Sequence, residues 1–135
     1  MVPVREPKTY SILLADELTL VREGLAALCR TSPHYRVTDQ CSDGASALRM
    51  ITTNRPDIAV LDLNLPDLFS LAMVRKLRES QIATRIVVLS TRKDRKTVVE
   101  ALRAGVNASV AGSVSAASIA GLYGGRRAWH ASCVA

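Results

Sequence analysis

Three short apolar runs, each followed by an acidic or hydroxyl residue, constrain the fold of this chain more than any other feature. The runs are residues 11–15, followed by Asp16 and Glu17; residues 58–61, followed by Asp62; and residues 85–89, followed by Ser90. They do not alternate between apolar and polar residues, which is typical of central strands in a parallel sheet covered on both faces. The sequence therefore predicts such a sheet, with polar side chains at the carboxyl ends of its strands.

Weaker runs at residues 35–41 and 108–111 predict two further strands, the first of them nearer a sheet edge. The segments between strands place apolar residues at helical spacing. On the first predicted helix, the residues expected to face inward are Leu20, Val21, Gly24, Leu25 and Leu28.

Capping residues indicate where the later helices begin and end. Ser42 or Asp43 is expected to cap the second helix, Asp94 the fourth and Ser115 a short fifth, and Gly105 suits the end of the fourth. Strands and helices thus alternate five times. This order predicts an α/β fold, a (βα)5 parallel sheet with right-handed crossovers and helices on both faces. The expected arrangement is doubly wound, with strand order 2-1-3-4-5.

A chain of 135 residues fits one domain and can bury a core without disulfides or a structural metal. Its three cysteines lack C-x-x-C spacing and are expected to be reduced thiols, and His34 and His130 do not indicate a zinc site. No apolar run reaches the ~20 residues of a membrane span, and the N-terminus lacks the apolar centre of a secretory signal. We therefore expect a cytoplasmic protein without membrane contact.

Charge is distributed unevenly along the chain. Residues 1–72 carry a net charge of −2 and residues 73–135 carry +8, which together give the +6 of the whole chain. A basic half is compatible with nucleic-acid binding. However, that half has few aromatic residues for stacking on bases, so solvated helix faces are the favoured interpretation.

The polar residues at the strand ends predict a site. In a sheet of order 2-1-3-4-5, the first and third strands are neighbours where the winding direction reverses, and ligands bind there. Asp16, Glu17 and Asp62 would meet at this point and repel each other unless a cation such as Mg²⁺ lay among them. Asp62 is then a candidate nucleophile for a phosphoryl group, and Ser90 is a candidate donor to its oxygens.

These residues also resemble a known family. The segments that carry the resemblance are Ile12 to Glu17, Leu20 to Leu25, Val60 to Pro66, Val87 to Thr91 and Ala101 to Gly105. Over about residues 10–128, they resemble the receiver domain of bacterial two-component response regulators of the NarL/LuxR type, which have a flavodoxin-like fold. Residues 1–9 are then an N-terminal tail, and residues 129–135 a C-terminal tail or the start of a linker.

The resemblance implies a role for each residue of the site. Asp62 corresponds to the aspartate that accepts phosphate from a sensor histidine kinase, and Asp16 and Glu17 to the acidic pair that binds Mg²⁺. Asn64 corresponds to the residue whose backbone carbonyl binds the metal, and Ser90 to the hydroxyl that contacts the phosphoryl group. The resemblance further implies a homodimer, and contact with DNA only through a C-terminal domain outside this chain.

Three positions depart from the family pattern. Gly112 stands where the family has a lysine, Ser109 where it has a switch aromatic residue, and Ser70 where it usually has glycine after the phosphoacceptor loop. The loop before Ser70 is therefore expected to be strained or rearranged. Arg92 or Lys93 are candidates to replace the missing positive charge, although both also suit solvated loop positions.

Two interpretations of these departures remain open. In one, the domain is still phosphorylated and acts as a switch; in the other, it is a degenerate receiver that serves as a phosphorylation-independent dimerisation or docking module. An enzyme or flavin-binding protein on the same fold is disfavoured. The first strand is followed by Asp16 and Glu17 rather than by a Gly-rich phosphate loop, and these acids would repel a flavin phosphate.

Overall fold

A computed structural model of the chain describes residues 8–67, 70–90, 95–111 and 133–134. Strands and helices alternate along it, and the elements, in chain order, are β1 (Tyr10–Ala15), α1 (Thr19–Cys29), β2 (Tyr35–Cys41), α2 (Gly44–Asn54), β3 (Ile58–Asp62), α3 (Ser70–Glu79), β4 (Arg85–Ser90), α4 (Arg95–Ala104), β5 (Ala108–Ala111) and β6 (Cys133–Val134). The predicted fifth helix and the cap at Asp94 lie outside the described residues.

The strands form one parallel sheet in the order β2-β1-β3-β4-β5-β6. The first five confirm the predicted order and the doubly wound α/β fold. The two-residue strand β6 lies beside β5. Its residues were predicted to belong to a C-terminal tail or the start of a linker, because two residues are too few to show a strand pattern. Its partners on β5 are Val110 and Ala111.

The core lies on both faces of the sheet, as the absence of alternation in the apolar runs predicts. On one face, residues of the strands such as Leu13, Leu61 and Val88 pack with the inward residues of α2, α3 and α4. On the other face, Leu14 and Val60 pack against α1. This arrangement leaves the carboxyl ends of the strands as the place where polar side chains gather.

The inward face of α1 differs from the prediction. Leu20 is 80% exposed and Gly24 is also exposed, whereas Leu25, Ala26 and Cys29 are buried. Leu20 is the second residue of the helix. The predicted residues Val21, Leu25 and Leu28 do pack on the sheet. The expectation that Leu20 and Gly24 face inward was therefore wrong.

Two predicted helix boundaries are confirmed. Asp43 is the N-cap of α2, and its carboxylate accepts a hydrogen bond from the Ser46 N–H at 3.4 Å. Gly105 follows α4 with a φ of +105°, a backbone conformation that favours glycine.

Cys29 and Cys41 are buried and form no disulfide. Burial raises the pKa of both thiols above the ordinary value. Within the ranges that the structure describes, no helix has the length and apolar character needed to cross a membrane.

Candidate functional site

The predicted site residues lie at the carboxyl ends of three adjacent strands. Asp16 directly follows β1, Asp62 is the last residue of β3, and Ser90 is the last residue of β4. The register brings them to one level, since Ala15 pairs with Leu61 and Asp62 pairs with Leu89. The strand order therefore gathers these three polar side chains at one edge of the sheet.

Asp16 is the most buried acid of this group, with only 6% of its surface exposed. Burial raises its pKa above the ordinary value, and the N–H of Leu18, which donates to Asp16 Oδ1 at 2.9 Å, acts in the opposite direction. The negative charge of Asp62 raises the pKa of Asp16 further. The two carboxylates thus lie close enough to repel each other.

Glu17 lies beside this pair but is exposed. The guanidinium of Arg22 orders the loop around it, donating to the backbone carbonyls of Asp16 at 2.5 Å and Glu17 at 3.4 Å. Arg22 also donates to the Thr19 hydroxyl at 3.2 Å. No pattern in the sequence indicates these contacts of Arg22, because they depend on the conformation of the loop before α1.

The loop after β3 begins with hydrogen bonds on both sides of Asp62. The N–H of Asn64 donates to Asp62 Oδ1 at 3.1 Å, and the N–H of Leu63 donates to the carbonyl of Leu89 at 2.9 Å. The structure therefore brings Asn64 against Asp62, two residues after the strand, where the sequence places a backbone ligand for a metal.

Ser70 ends this loop in a way that the sequence did not predict. Its side chain is fully buried, and its hydroxyl donates to the backbone carbonyl of Asp62 at 2.6 Å. Asp67 has a φ of +72°, which is the left-handed region that few residues other than glycine adopt. Leu68 and Phe69 lie outside the described residues, so the expected rearrangement of this loop stays a prediction.

The donors at the site suit a hard cation. Across the described part of the chain, no three His, Cys, Asp or Glu side chains form a group that could hold a metal ion. Mg²⁺, however, is often bound by only one or two carboxylates and keeps several of its waters. Asp16, Asp62 and the carbonyl of Asn64 are all oxygen donors, and the mutual repulsion of the two acids favours a cation between them.

Ser90 and Ser109 lie on the same face of the sheet. Ser90 is 8% exposed and Ser109 is 4% exposed. Ser90 pairs with Ala111, so Ser109 is its diagonal neighbour on β5. Since Ala108 and Val110 pack on the α1 side, the alternation of side chains directs Ser109 to the α4 side. A small buried hydroxyl thus occupies the position at which the sequence analysis noted a missing aromatic ring. Arg92, Lys93 and Gly112 lie outside the described residues.

Comparison with known proteins identifies the class of protein that this fold and site define. Residues 12–120 match the family described as the response regulator receiver domain. This match covers most of the chain, and the chain belongs to that family. Receiver domains are signalling modules of two-component systems.

Individual relatives agree with this assignment. The chain is 35% identical over 103 residues to the nitrate/nitrite response regulator protein NarL of Escherichia coli, a match that covers 76% of this chain and 47% of that protein. It is 32% identical over 97 residues to the transcriptional regulatory protein YhcZ of Bacillus subtilis, covering 72% and 45%. The chain thus spans about half the length of the curated relatives that it matches.

Solved structures show the same fold. A two-component response regulator of the LuxR family from Aurantimonas sp. is 30% identical, with a TM-score of 0.76 over 83% of this chain and 80% of that one. The signal receiver domain of NarL from Mycobacterium tuberculosis is 25% identical, with a TM-score of 0.78 over 82% and 90%. The resemblance to receiver domains of the NarL/LuxR type is therefore confirmed.

Proposed function

We propose that this receiver domain accepts a phosphoryl group on Asp62 from a sensor histidine kinase, in a reaction that requires Mg²⁺. The observation that carries the proposal is the register of the sheet, which places the buried Asp16 after β1 beside Asp62 at the end of β3, with the Asn64 N–H donating to Asp62 Oδ1 at 3.1 Å. Two carboxylates that repel each other do not stabilise a fold, and such arrangements occur mainly at functional sites. A divalent cation would turn this repulsion into attraction.

Each residue has a distinct part in this proposal. A carboxylate oxygen of Asp62 forms a bond to phosphorus while the bond from phosphorus to the histidine nitrogen breaks. Asp16, Asp62 and the Asn64 carbonyl would hold Mg²⁺, with Glu17 at the exposed rim. When bound, the metal neutralises charge on the transferring oxygens. Ser90 donates its hydroxyl hydrogen to one of those oxygens.

A positively charged side chain beside the transferring phosphoryl group would also stabilise its charge. The lysine position is Gly112, which offers no charge, and Arg92 or Lys93 would supply it from the segment after Ser90. The test is the phosphorylation rate of Arg92→Gln and Lys93→Gln, each compared with Arg75→Gln, whose exposed side chain lies on α3. A lower rate in either of the first two variants identifies the replacement, and equal rates in all three contradict it.

Intact-protein mass tests the proposal itself. The protein is incubated with acetyl phosphate, with and without Mg²⁺, beside the variants Asp62→Ala and Asp39→Ala, the second of which removes an acid of the edge strand β2. We expect one phosphoryl adduct that requires Mg²⁺, is lost in Asp62→Ala and persists in Asp39→Ala. A folded wild-type protein that gains no adduct under these conditions, or an adduct that survives Asp62→Ala, contradicts the proposal.

A second candidate function is favoured by the structure around Ser109. A small buried serine at the switch position has no ring whose movement could transmit a change at Ser90, which suits a degenerate receiver used for dimerisation or docking. Sedimentation velocity of the protein before and after treatment with acetyl phosphate separates the candidates. A switch changes the dimer fraction on phosphorylation, whereas a docking module has the same fraction in both states.

We also propose that the chain acts as part of a longer cytoplasmic response regulator. Relatives named as transcriptional regulatory proteins, such as YhcZ and YdfI of Bacillus subtilis, match it over somewhat less than half of their length, so control of transcription would come from a DNA-binding domain outside this chain. A protein-glutamate methylesterase of Myxococcus xanthus also matches, with 30% identity over 27% of its length. A test of the longer protein for sequence-specific DNA binding therefore decides whether it controls transcription.

A further inference from the structure

Ser70 connects the start of α3 to the backbone of Asp62. Its side chain has no exposed surface, and its hydroxyl donates to the Asp62 carbonyl at 2.6 Å across eight residues of sequence. This hydrogen bond closes the loop that carries Asn64. A glycine, which the family usually has here, offers no side chain for such a bond.

The carbonyl of Asp62 belongs to the peptide unit that leads into the loop. The N–H of the same peptide unit, on Leu63, donates to Leu89 on β4 at 2.9 Å. Ser70 thus holds the carbonyl of this peptide unit, and the Leu89 carbonyl holds its N–H. The peptide unit lies in the chain between the Asp62 side chain and Asn64. Rotation of the peptide unit would move both the nucleophile and the predicted metal ligand.

We propose that Ser70 is a positioning residue for phosphoryl transfer, whose hydroxyl fixes the peptide unit after Asp62 and thereby the loop that carries Asn64. This inference rests on the proposed function of Asp62. A reaction slows markedly when the reacting group is displaced even slightly from its productive position, because the fold then no longer holds the group in the correct orientation. Ser70 touches neither substrate nor metal and acts through Asp62 and Asn64.

Two substitutions isolate the hydroxyl. Ser70→Ala keeps the β-carbon and removes the hydroxyl, while Ser70→Gly removes both. The matched control is Thr84→Val, because Thr84 is also buried and its hydroxyl donates to the Pro56 carbonyl at 2.7 Å, but at the opposite end of the sheet. Circular dichroism and urea unfolding of each variant verify that the protein is folded during the assay.

The first readout is the rate of adduct formation with acetyl phosphate as a function of Mg²⁺ concentration. We expect Ser70→Ala and Ser70→Gly to lower the maximal rate about fivefold and to raise the Mg²⁺ concentration for half-maximal rate by a similar factor. Thr84→Val should change both quantities by less than about twofold although it loses a comparable hydrogen bond. Rates of Ser70→Ala equal to those of the wild type, or a loss in Ser70→Gly alone, overturn the inference.

The second readout does not depend on phosphorylation. Hydrogen exchange of the Asn64 and Leu63 amides should accelerate about fivefold in Ser70→Ala and remain unchanged in Thr84→Val. Unchanged exchange in Ser70→Ala overturns the inference whether or not Asp62 is phosphorylated. A wild-type protein that gains no phosphoryl group contradicts the proposed function instead, and the exchange rates then still decide whether Ser70 holds the loop.

Discussion

The carboxylate of Asp16 is held where its charge is unfavourable. Burial and the charge of Asp62 raise its pKa, so the folded protein binds this proton more tightly than the unfolded chain does. The contribution of Asp16 to the free energy of unfolding therefore falls as the pH rises from the ordinary pKa of 3.8 through the raised value. Above that range, the whole electrostatic cost is present in the metal-free protein.

Replacing Asp16 should relieve this cost. We expect Asp16→Asn, which keeps an oxygen to accept from the Leu18 N–H, to raise the free energy of unfolding by about 1 kcal/mol at pH 7 without Mg²⁺. Urea unfolding at pH 7 and pH 3 measures the effect, which should vanish at pH 3, where Asp16 is protonated in both states. Glu23→Gln, on the exposed surface of α1, is the control. A variant less stable than the wild type at pH 7 would contradict the electrostatic account.

Individual site residues differ in how far the sequence reveals them. Asp16, Asp62 and Ser90 are predictable because each follows an apolar run, and strand ends meet at one edge of a parallel sheet. The contacts of Ser70 and Arg22 are not predictable in this way. Ser70 contacts a carbonyl eight residues earlier and Arg22 one six residues earlier. These contacts depend on loop conformations, which the spacing of apolar residues does not predict.

Among the elements, α3 is attached to the sheet by more than its apolar face. Arg78 donates to the carbonyls of Ile82 at 2.7 Å, Thr84 at 2.9 Å and Gly105 at 3.0 Å, and to Asn107 Oδ1 at 2.7 Å. Burial lowers the pKa of this guanidinium. One side chain thus joins the end of α3 to the segments before β4 and after α4.

Removing Arg78 should destabilise the domain without touching the site. We expect Arg78→Met to lower the free energy of unfolding by about 2–4 kcal/mol, because several partly buried acceptors lose their donor. Arg75→Ala, an exposed change on the same helix, should shift it by less than about 0.5 kcal/mol. Urea unfolding of both variants measures the difference. Similar small losses in the two variants would show that the hydrogen bonds of Arg78 contribute little.

The elements also show where sequence patterns are ambiguous. The bounds of β2 and β5 agree with their predicted ranges. On α1, the prediction was right for Val21, Leu25 and Leu28 and wrong for Leu20 and Gly24, since Leu20 and Val21 are both apolar and only packing on the sheet distinguishes them. At Leu20 the helix begins beyond the edge of the core, which leaves that side chain exposed.

For the molecule as a whole, the alternation of strands and helices predicts a parallel sheet with helices on both faces, because parallel strands joined by helices follow one handedness. The alternation alone does not fix the strand order, because other doubly wound orders share that handedness. Among the described residues, the same pattern places Asp16, Asp62 and Ser90 at one end of the sheet, and Thr84 and Arg78 contribute at the other end. The short strand β6 has no sequence pattern of its own and was not predicted. Function then rests on the site rather than on the fold, since this architecture supports many activities.

The identity of the phosphorylated residue is the central claim. The most direct measurement treats the protein with acetyl phosphate and Mg²⁺, reduces the acyl phosphate with borohydride to homoserine, and locates the homoserine by peptide mass spectrometry. The account predicts homoserine at position 62 and none at Asp57 or Asp67, the nearest acids along the chain. Homoserine at another acid, or at no position in protein that is verified to be folded, would contradict the assignment of Asp62.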